Sequence, residues 1–488
     1  MNLSKSKYVN GVQCKKMLWL DKNKPNEKTE IDNESVLKNG NLIHEVAKYL
    51  FGEHINIDFN ENLSEMINNT ALTLESYKNV VITEASFNYN NNFCSVDILK
   101  KVNSKYEMYE VKGATDIKDV YLKDVSYQYY VLTSLGLNVT KVSIVYLNNK
   151  YIRKGDLDLK KLFVINDVTQ KIIELKEEVK ANIDDINKYI ENETEPNDDI
   201  GLHCFKPYEC AFFKYCSRNL PTPNIFNVRN LSLKEKDAFY KKGIYKYENL
   251  INEKINPNYK IQIEYELYNK KDFVDKEKIK EFLNTLKEPL YFLDFETFQA
   301  PIPLYDGSRP YDQIPSQYSL HILENEKLEH KEFLAEVGID PRRSLAERLI
   351  EDIPLNVCTL AYNMGFEKGV IKKLAELYPD LEEHLMNIHD NIKDLAIPFK
   401  WKWYYSKKME GAYTIKIVLP ALFPNDPTLD YHNLDLIHNG SEAMNSFAEL
   451  GNKSEEEQKY IRERLLRYCE LDTYAMVKIY EKLKEVIL

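Results

Sequence analysis

Residues 93–112, FCSVDILKKVNSKYEMYEVK, are typical of two successive β-strands separated by a polar turn. Side chains two apart on a strand share a face, so Glu110 and Lys112 are expected to point the same way. Asp97 lies on the preceding strand. Two carboxylates on adjacent strands can hold Mg²⁺ or Mn²⁺ through oxygen ligands, and a lysine beside them can orient water or neutralise charge. The stretch therefore predicts a metal site on a β-sheet.

The flanking sequence adds further polar residues to this site. VVITEASFNY is typical of an earlier strand with Glu84, SVLKNGNLIHEVAKYLF of an amphipathic helix with His44, and KDVSYQYYVLTSLGL of a helix with Gln128. A Glu-x-Lys triplet alone recurs by chance in a chain rich in both residues, and a single helical histidine is more often structural than catalytic. His44, Glu84, Asp97, Glu110, Lys112 and Gln128 in this order are a much more specific signal than the triplet or the histidine alone.

Cysteines form a second pattern. HCFKPYECAFFKYC, residues 203–216, carries Cys204, Cys210 and Cys216 at six-residue steps. A disulfide would leave one thiol unpaired, and a four-ligand metal site would lack one ligand. Cys14, within a locally basic N-terminal segment, is either that fourth ligand or a buried cysteine in a solvated helix. The N-terminus lacks the apolar core of a signal peptide and no apolar run approaches ~20 residues, so a cytoplasmic chain with reduced, metal-binding cysteines is expected.

The order of these motifs resembles the PD-(D/E)XK nucleases, in particular the iron–sulfur branch of the RecB-like family. That branch includes a CRISPR-associated exonuclease and the nuclease domain of AddB-type helicase-nucleases. One cysteine precedes the nuclease core there and three follow it, as Cys14 precedes and Cys204, Cys210 and Cys216 follow here. The resemblance covers residues 1–220 and implies a [4Fe–4S] cluster on these thiolates, with zinc as the alternative.

The same resemblance implies roles for the polar set. Asp97, Glu110 and His44 would bind a divalent metal, and Lys112 would assist catalysis together with both carboxylates. Gln128 would contact nucleic acid. The tyrosine that often follows this glutamine by four residues in the family is Leu132 here, although tyrosines flank Gln128 on both sides.

The second half of the chain opens with EPLYFLDFETF, residues 288–298, a buried-strand pattern interrupted by Asp294 and Glu296. Both carboxylates share one strand face, and burying them is unfavourable unless a cation is present. Asn363 and Glu367 are expected at the start of a later helix. Tyr468 and Asp472, four residues apart, are expected on one face of the last helix.

This arrangement resembles the DEDD-type 3′–5′ exonucleases of the ribonuclease H-like fold, in their tyrosine subclass. The resemblance implies that the carboxylates of Asp294, Glu296, Glu367 and Asp472 hold two divalent ions. It also implies that Tyr468 stands beside the attacking water, which it would position or help to deprotonate. The second motif commonly ends in aspartate, so Glu367 is a departure. Asp394 is the alternative fourth carboxylate.

Between these motifs, WKWYYSKKMEGAYTIKIVLPALFP, residues 401–424, interleaves aromatic and lysine side chains. Such a mixture can stack bases and hold phosphates, with Trp403, Lys416 and the motif residue Asn363 as nucleic-acid-binding candidates. It is also typical of a half-buried surface layer. The pairing of both halves resembles a bacterial family known as domain of unknown function 2779.

The length, hydrophobic content and net charge of the chain are consistent with this architecture. The chain has 488 residues, 43% of them hydrophobic, and a net charge of −11, which disfavours wholesale coating of nucleic acid but allows a local basic groove. We expect an α/β protein with a restriction-endonuclease-like domain at 1–220, a helical connector at 221–285 and a ribonuclease H-like domain at 286–488. Residues 221–285 are also compatible with a small nucleic-acid-binding helical unit.

The expected function is metal-dependent hydrolysis of phosphodiester bonds, with DNA favoured over RNA and single-stranded ends favoured as substrate. Repair, recombination and phage defence all fit, and a helicase or repair partner is compatible with the pattern. The alternative is a nucleic-acid-binding adaptor in which one or both sites are inactive. No membrane partner is expected.

Overall fold

The computed structural model describes residues 3–31 and 34–488. The chain forms two compact units: unit 1 comprises Met1–Leu220 and Pro301–Tyr311, and unit 2 comprises Pro221–Ala300 and Asp312–Leu488. Helices combine with mixed sheets, which confirms the expected α/β class. In the part of the chain described, no helix combines the length and apolar character needed to cross a bilayer.

Unit 1 is built on one seven-stranded sheet. Its strands are β1 Leu3–Ser4, β2 Ile55–Asn56, β3 Asn79–Tyr89, β4 Asn92–Val102, β5 Lys105–Lys112, β6 Val139–Leu147 and β7 Phe163–Asp167. Its helices are α1 Lys5–Gln13, α2 Lys15–Asn23, α3 Glu34–Ala47, α4 Leu63–Ser76, α5 Asp119–Ser134, α6 Leu159–Leu162, α7 Thr169–Ile190 and α8 Phe213–Cys216.

The strand order is β2-β3-β4-β5-β6-β7, with β1 added alongside β4. Strands β3, β4 and β5 form the antiparallel meander expected from the sequence, and α5 connects β5 to the parallel strand β6. One core lies between the sheet and α1, α5 and α7, and a second contains Ile43 of α3 and Val111 of β5. The meander therefore lies between two apolar layers.

The N-terminal basic segment is not a solvated helix. Cys14 adopts an extended backbone conformation, with φ −160° and ψ 108°, and separates α1 from α2. Both helices bury residues, including Tyr8 and Trp19, and a Cβ built on Gly11 would lie 2.7 Å from the Ile186 side chain of α7. The glycine thus permits close packing of α1 on α7.

Unit 2 contains a five-stranded sheet and a two-stranded sheet. Its strands are β8 Phe273–Val274, β9 Leu290–Gln299, β10 Gln313–Glu324, β11 Lys327–Leu334, β12 Cys358–Ala361, β13 Ile392–Asp394 and β14 Tyr404–Tyr405. Its helices are α9 Leu233–Lys241, α10 Tyr247–Leu250, α11 Pro257–Tyr268, α12 Lys276–Leu283, α13 Arg342–Asp352, α14 Gly365–Leu377, α15 Glu382–Asn391, α16 Ile397–Lys400, α17 Ile415–Leu422, α18 Gly440–Glu449 and α19 Glu455–Ile487.

The larger sheet has the order β11-β10-β9-β12-β13, antiparallel from β11 to β9 and parallel from β9 to β13. Alternate residues of β9 enter different cores. Leu290 and Phe292 join the core that contains α19, whereas Leu293 and Phe295 join the core that contains α13 and α14. Asp294 continues the series of Leu290 and Phe292, so its side chain faces α19.

Two segments described in the sequence analysis have a definite structure. Residues 221–285 contain α9 to α12. Helices α9 to α11 border a small core that includes Ile225, Tyr247 and Ile263, whereas Ile279 and Phe282 of α12 join the core that contains α19. In the aromatic segment, Tyr404 and Tyr405 are buried in the core of unit 2, which matches the half-buried alternative. The functions and limits assigned to the three predicted domains stay predictions.

Candidate functional site

Three adjacent strands bring the carboxylates of unit 1 together. In the register of β3 against β4, Glu84 and Asp97 lie between the pairs Thr83–Ile98 and Ala85–Val96. In the register of β4 against β5, Asp97 and Glu110 adjoin the pair Ile98–Tyr109. Side chains directly opposite each other on such strands have Cβ atoms about 5 Å apart. We call the group Glu84, Asp97, Glu110 and His44 the first carboxylate site.

His44, Glu84 and Asp97 each offer a ligand atom within 4.8 Å of the others. His44 Nε2 lies 3.9 Å from Asp97 Oδ2. Glu84 has a φ of 58°, a left-handed conformation that non-glycine residues rarely adopt and that is frequent at functional sites. Burial, followed by the charge of Asp97, raises the pKa of Glu84. The oxygen and nitrogen donors suit Mg²⁺ or Mn²⁺.

Glu110 is completely buried and held by cations and an amide. Its Oε1 accepts from Lys112 Nζ at 2.8 Å and from Lys5 Nζ at 2.9 Å, and its Oε2 accepts from Gln128 Nε2 at 2.8 Å. Burial alone would raise the pKa of Glu110, but Lys112 and Lys5 outweigh it and hold that pKa well below the usual value. Glu110 is therefore a carboxylate in this arrangement.

Lys112 lies between Glu110 and Asp124, a residue of α5 to which its Nζ also donates. Burial would lower the pKa of Lys112, but the charges of Asp124 and Glu110 raise it above the usual value. Lys112 is thus held as an ammonium group. Gln128, proposed from the sequence as a nucleic-acid contact, is instead fully buried and binds Glu110 and Asp124.

Lys5 and Asp124 are site residues that sequence reasoning missed. Lys5 Nζ lies 3.4 Å from Asp97 and 2.9 Å from Glu110, although 92 and 105 residues separate them in the chain. No local pattern signals such a contact. Asp124 precedes Gln128 by four residues on a predicted helix, so a search for polar residues on the same helical face would have found it.

In unit 2, Asp294 and Glu296 of β9 meet Asp472 of α19, and one ligand atom from each lies within 4.8 Å of the others. We call these residues, with Glu367, the second carboxylate site. Burial and then the neighbouring carboxylates raise the pKa of Asp294 and of Glu296 well above the usual values. Repulsion between buried carboxylates is relieved when a cation binds between them.

Glu367 of α14 faces this group. Glu367 is 3% exposed, its Oε2 has no hydrogen-bond partner among the described residues, and burial raises its pKa to about 8. In contrast, Asp394 Oδ1 already accepts from the backbone N–H groups of Asn363 and Ala396, at 2.9 and 3.0 Å. An unpartnered buried oxygen among repelling carboxylates fits a divalent cation. The geometry favours Glu367 over Asp394 as the fourth carboxylate.

Tyr468 lies beside Asp472 in a hydrogen-bonded group. Tyr431 donates to Asp472 Oδ1 at 2.6 Å, and Lys416 Nζ donates to the Tyr468 hydroxyl at 2.9 Å. The Lys416 ammonium also lies over both tyrosine rings, 4.9 Å from the Tyr431 centroid and 4.8 Å from that of Tyr468. Lys416 therefore lies beside the second carboxylate site. Its nucleic-acid role stays a prediction.

The two other nucleic-acid candidates of unit 2 lie in different surroundings. Asn363 is exposed next to the N-terminus of α14, with φ 67°, a conformation that asparagine tolerates. Trp403 packs partly against the core, and its carbonyl accepts from the N–H of Asp275. Of this pair, Asn363 is the more accessible.

The four cysteines named from the sequence line one cavity. Cys14, Cys204, Cys210 and Cys216 surround it with Met17, Leu20 and Phe212. Burial raises the pKa of the Cys204 thiol to about 12 and that of Cys210 to about 11, and nearby thiols add to both shifts. Thiols held in an apolar cavity as separate neutral groups become stable thiolates when a metal binds them.

Two kinds of group suit four thiolates of this arrangement. A tetrahedral zinc binds each sulfur at ~2.3 Å. In an iron–sulfur cluster, each thiolate binds a different iron.

Comparison with known proteins gives matches without described activities. Residues 291–414 match the family model described as "Domain of unknown function (DUF2779)". The chain is similar to "Uncharacterized protein MG366" of Mycoplasma genitalium, with 27% identity over 253 residues, or 48% of this chain and 38% of the relative. It is also similar to the "MG366 homolog" of Mycoplasma pneumoniae, with 26% identity over 228 residues, or 43% and 34% of the two chains.

A third relative is "Uncharacterized protein UU173" of Ureaplasma parvum, with 24% identity over 229 residues, or 41% of this chain and 32% of the relative. The chain thus spans between about a third and two fifths of the length of the curated relatives it matches. No solved structure matches. The matched residues 291–414 contain Asp294, Glu296 and Glu367, and they support the resemblance to the DUF2779 family.

Proposed function

We propose that this protein is a metal-dependent nuclease that hydrolyses phosphodiester bonds of DNA, with single-stranded ends as its substrate. One observation carries the proposal: each unit gathers buried or partly buried carboxylates from separate segments, joined in unit 1 by His44, into a group small enough for a divalent ion, and each group adjoins a lysine. Carboxylates that repel one another in a fold are unfavourable without a cationic ligand. Repair, recombination and phage defence remain the processes in which such an activity fits.

In unit 1, His44, Glu84, Asp97 and Glu110 would hold the ion. When bound, a divalent ion supplies positive charge to the phosphate and acidifies water. Lys112 stays an ammonium between Glu110 and Asp124, so it acts as a fixed donor and charge toward a phosphate oxygen rather than as a base. Gln128 keeps Glu110 and Asp124 in position.

In unit 2, Asp294, Glu296, Glu367 and Asp472 would hold the metal. Burial and the nearby carboxylates raise the pKa of Tyr468 far above its usual value, so its phenol keeps its proton. Tyr468 then orients water as a hydrogen-bonding group, with its ring and hydroxyl held by Lys416. This replaces the alternative in which Tyr468 takes part in deprotonating that water.

The four-cysteine cavity is proposed to hold a [4Fe–4S] cluster with a structural role. It would join Cys14, between α1 and α2, to the segment that contains Cys204, Cys210 and Cys216. Closing a loop of nearly two hundred residues restricts the unfolded chain and favours the folded unit. Zinc is the other metal that four thiolates accept.

A second candidate function has one observation in its favour. Lys5 places its ammonium between Asp97 and Glu110, where it neutralises both carboxylates without a metal. Unit 1 would then bind nucleic acid as an adaptor, and cleavage would belong to unit 2 alone.

The test measures Mg²⁺- or Mn²⁺-dependent degradation of end-labelled DNA and RNA, single- and double-stranded. Asp97→Asn and Asp294→Asn, which keep side-chain shape, are compared singly and together. We expect each substitution to reduce the rate of cleavage of at least one substrate by about 100-fold or more. Even the mutation of a residue that only hydrogen-bonds to a metal ligand typically lowers metal affinity or activity about 10- to 100-fold. If the wild type leaves all substrates intact with both metals, the proposal fails. If only Asp294→Asn matters, the adaptor candidate holds for unit 1.

A further inference from the structure

Three tyrosines from distant parts of the chain lie near Lys112 or its neighbour Gly113. Tyr121 lies on α5, Tyr208 lies between Cys204 and Cys210, and Tyr311 ends the segment of unit 1 contributed by Pro301–Tyr311. The Tyr208 phenol interacts electrostatically with Tyr121 and Lys112, and the Tyr311 phenol with Tyr121. Catalysis by the first carboxylate site, as proposed above, uses none of these rings.

Tyr121 lies beside Lys112. It shares a helical face with Asp124 and Gln128, the partners of Lys112 and Glu110. Lys112 Nζ lies 5.6 Å and Lys118 Nζ 5.9 Å from its ring centroid. The ring is half-buried and Lys118 is exposed, so an approaching strand meets an aromatic face and a cation together.

Tyr208 is held by its backbone while its ring stays accessible. Gln13 Nε2 donates to the Tyr208 carbonyl at 2.8 Å and to the His203 carbonyl at 2.7 Å, and Cys210 N donates to the Cys204 carbonyl at 2.8 Å. The side chain itself is 50% exposed. A rigid loop with an exposed ring costs little conformational entropy when a planar ligand binds.

Tyr311 is held next to Gly113, the residue that follows Lys112. Its hydroxyl donates to the carbonyl of Gly113 at 3.0 Å, and its backbone has a φ of 61°. Bulky residues rarely adopt this left-handed conformation, and such strain concentrates at ligand sites. In the described ranges, none of the three tyrosine rings contacts another aromatic ring, so their faces are not occupied by one another.

We propose that Tyr121, Tyr208 and Tyr311 form a platform on which unpaired bases of a single strand stack beside the first carboxylate site. The proposal rests on the nucleic-acid-binding part of the proposed function and specifies its substrate as an unpaired strand. Aromatic faces hold bases irrespective of sequence, and adjacent lysines hold the phosphates between them. Lys118 and Lys112 supply those cations. A paired duplex keeps its bases stacked internally and gains nothing from the three rings.

Photo-cross-linking tests the platform directly. An oligothymidylate in which some bases are replaced by 5-iodouracil is irradiated with the full chain in EDTA, which prevents metal-dependent cleavage, and cross-linked peptides are mapped by mass spectrometry. We expect cross-links at one or more of Tyr121, Tyr208 and Tyr311. Cross-links confined to other peptides refute the platform and leave the nuclease proposal standing. A chain that binds no oligonucleotide in any metal condition refutes both.

Affinity of a fluorescent oligothymidylate provides the second measurement. Tyr208→Leu should weaken binding about tenfold, Tyr208→Phe should retain it, and an abasic strand of equal length should bind wild type as weakly as Tyr208→Leu binds the thymidylate. Tyr77, which is 48% exposed at the end of α4, is the matched control, and Tyr77→Leu should bind as wild type does. If Tyr208→Leu and Tyr77→Leu bind alike and the abasic strand binds as tightly as thymidylate, the platform is refuted.

Discussion

Lys5 places its ammonium group in the first carboxylate site, against carboxylates that would bind a divalent cation. Its ammonium contacts Asp97 and Glu110, two of the groups that would bind a divalent ion. The mutual attraction raises the pKa of Lys5 well above its usual value even though burial alone would lower it. A lysine so placed competes with a metal for the same oxygens, because both neutralise the same charge.

Replacing Lys5 therefore tests the metal-binding capacity of the site without an activity assay. In a chain that also carries Asp294→Asn and Asp472→Asn, Lys5→Met should tighten Mn²⁺ binding about tenfold, or about 1.4 kcal/mol. Titration calorimetry or Mn²⁺ electron paramagnetic resonance measures this. Lys7→Met, on the same helix, is the control and should change nothing. Weaker binding in Lys5→Met would mean that Lys5 supports the metal site instead of competing with it.

His321 is a buried titratable residue in the core of unit 2. It is 4% exposed, its Nδ1 pairs with Thr473 Oγ1 at 2.8 Å, and burial lowers its pKa from 6.5 to about 4. The folded state thus excludes a proton that the unfolded chain binds below pH 6.5. The contribution of neutral His321 to the free energy of unfolding is fully present above pH 6.5, the pKa of histidine in the unfolded chain. This contribution is lost as the pH falls toward about 4.

The expected loss between these two pH values is about 3 kcal/mol. Urea unfolding measured from pH 7 to pH 4 should show this acid-dependent loss in wild type and a smaller one in His321→Gln, which cannot titrate. His432 is exposed, so His432→Gln should follow wild type. If the free energy of unfolding depends on pH identically in His321→Gln and wild type, another group causes the loss of stability at low pH.

Some site residues could be assigned to their sites from the sequence alone, and others could not. Asp97, Glu110 and Lys112 were predictable because strand alternation and a short separation bring them to one face. Asp294 and Glu296 were predictable by the same alternation rule, because burying carboxylates in an apolar strand is unfavourable unless a cation binds them. Lys5, Tyr431 and Tyr311 were not predictable, because each reaches its site through tertiary packing that leaves no local pattern.

Among the helices and strands, the meander β3 to β5, strand β9 and helices α3, α5 and α19 followed from periodicity, whereas the 22-residue helix α7 and the break at Cys14 were not predicted. The sequence LSKSKYVNGVQCKKMLWL has no proline, and nothing local ends a helix at Cys14. The extended conformation there places the thiol at the cavity shared with Cys204, Cys210 and Cys216. Formation of that cavity, rather than helix propensity, accounts for the break.

The cavity leads to a prediction about the elements that border it. Protein purified without oxygen should contain iron and sulfide and absorb visible light, and Cys14→Ser should lose this cofactor and the stability of unit 1 together. Cys94 is also completely buried but lies on β4, away from the cavity, so Cys94→Ser is the matched control and should retain iron. Zinc in a colourless protein would refute the iron assignment and leave the structural role intact.

For the whole molecule, the composition of unit 1 is the least expected result. The sequence places residues 301–311 inside a predicted domain 286–488, yet in the structure Pro301–Tyr311 groups with Met1–Leu220. Arg153 Nη1 donates to the carbonyls of Pro303 and Leu304, at 2.8 and 2.9 Å. Backbone carbonyls bound in this way carry no sequence signature, since any residue presents one.

Ile302 shows why this segment contributes to folding. It is 6% exposed and belongs to the core that contains Ile43, Tyr109 and Val111, next to the first carboxylate site. Leu304, two residues along, is 47% exposed. In the full chain, Ile302→Ala should destabilise unit 1 by about 2–5 kcal/mol, as isoleucine-to-alanine changes in cores do, whereas Leu304→Ala should change stability by less than about 0.5 kcal/mol.

Hydrogen exchange of peptides from α3 and β5 measures this difference within unit 1. We expect faster exchange in Ile302→Ala than in Leu304→Ala or wild type, because the lost side chain belongs to the same core as Ile43 and Val111. Equal protection in both variants would mean that unit 1 folds independently of its second segment. In that case residues 1–220 alone would suffice for the first carboxylate site, and the Arg153 hydrogen bonds would only anchor a surface loop.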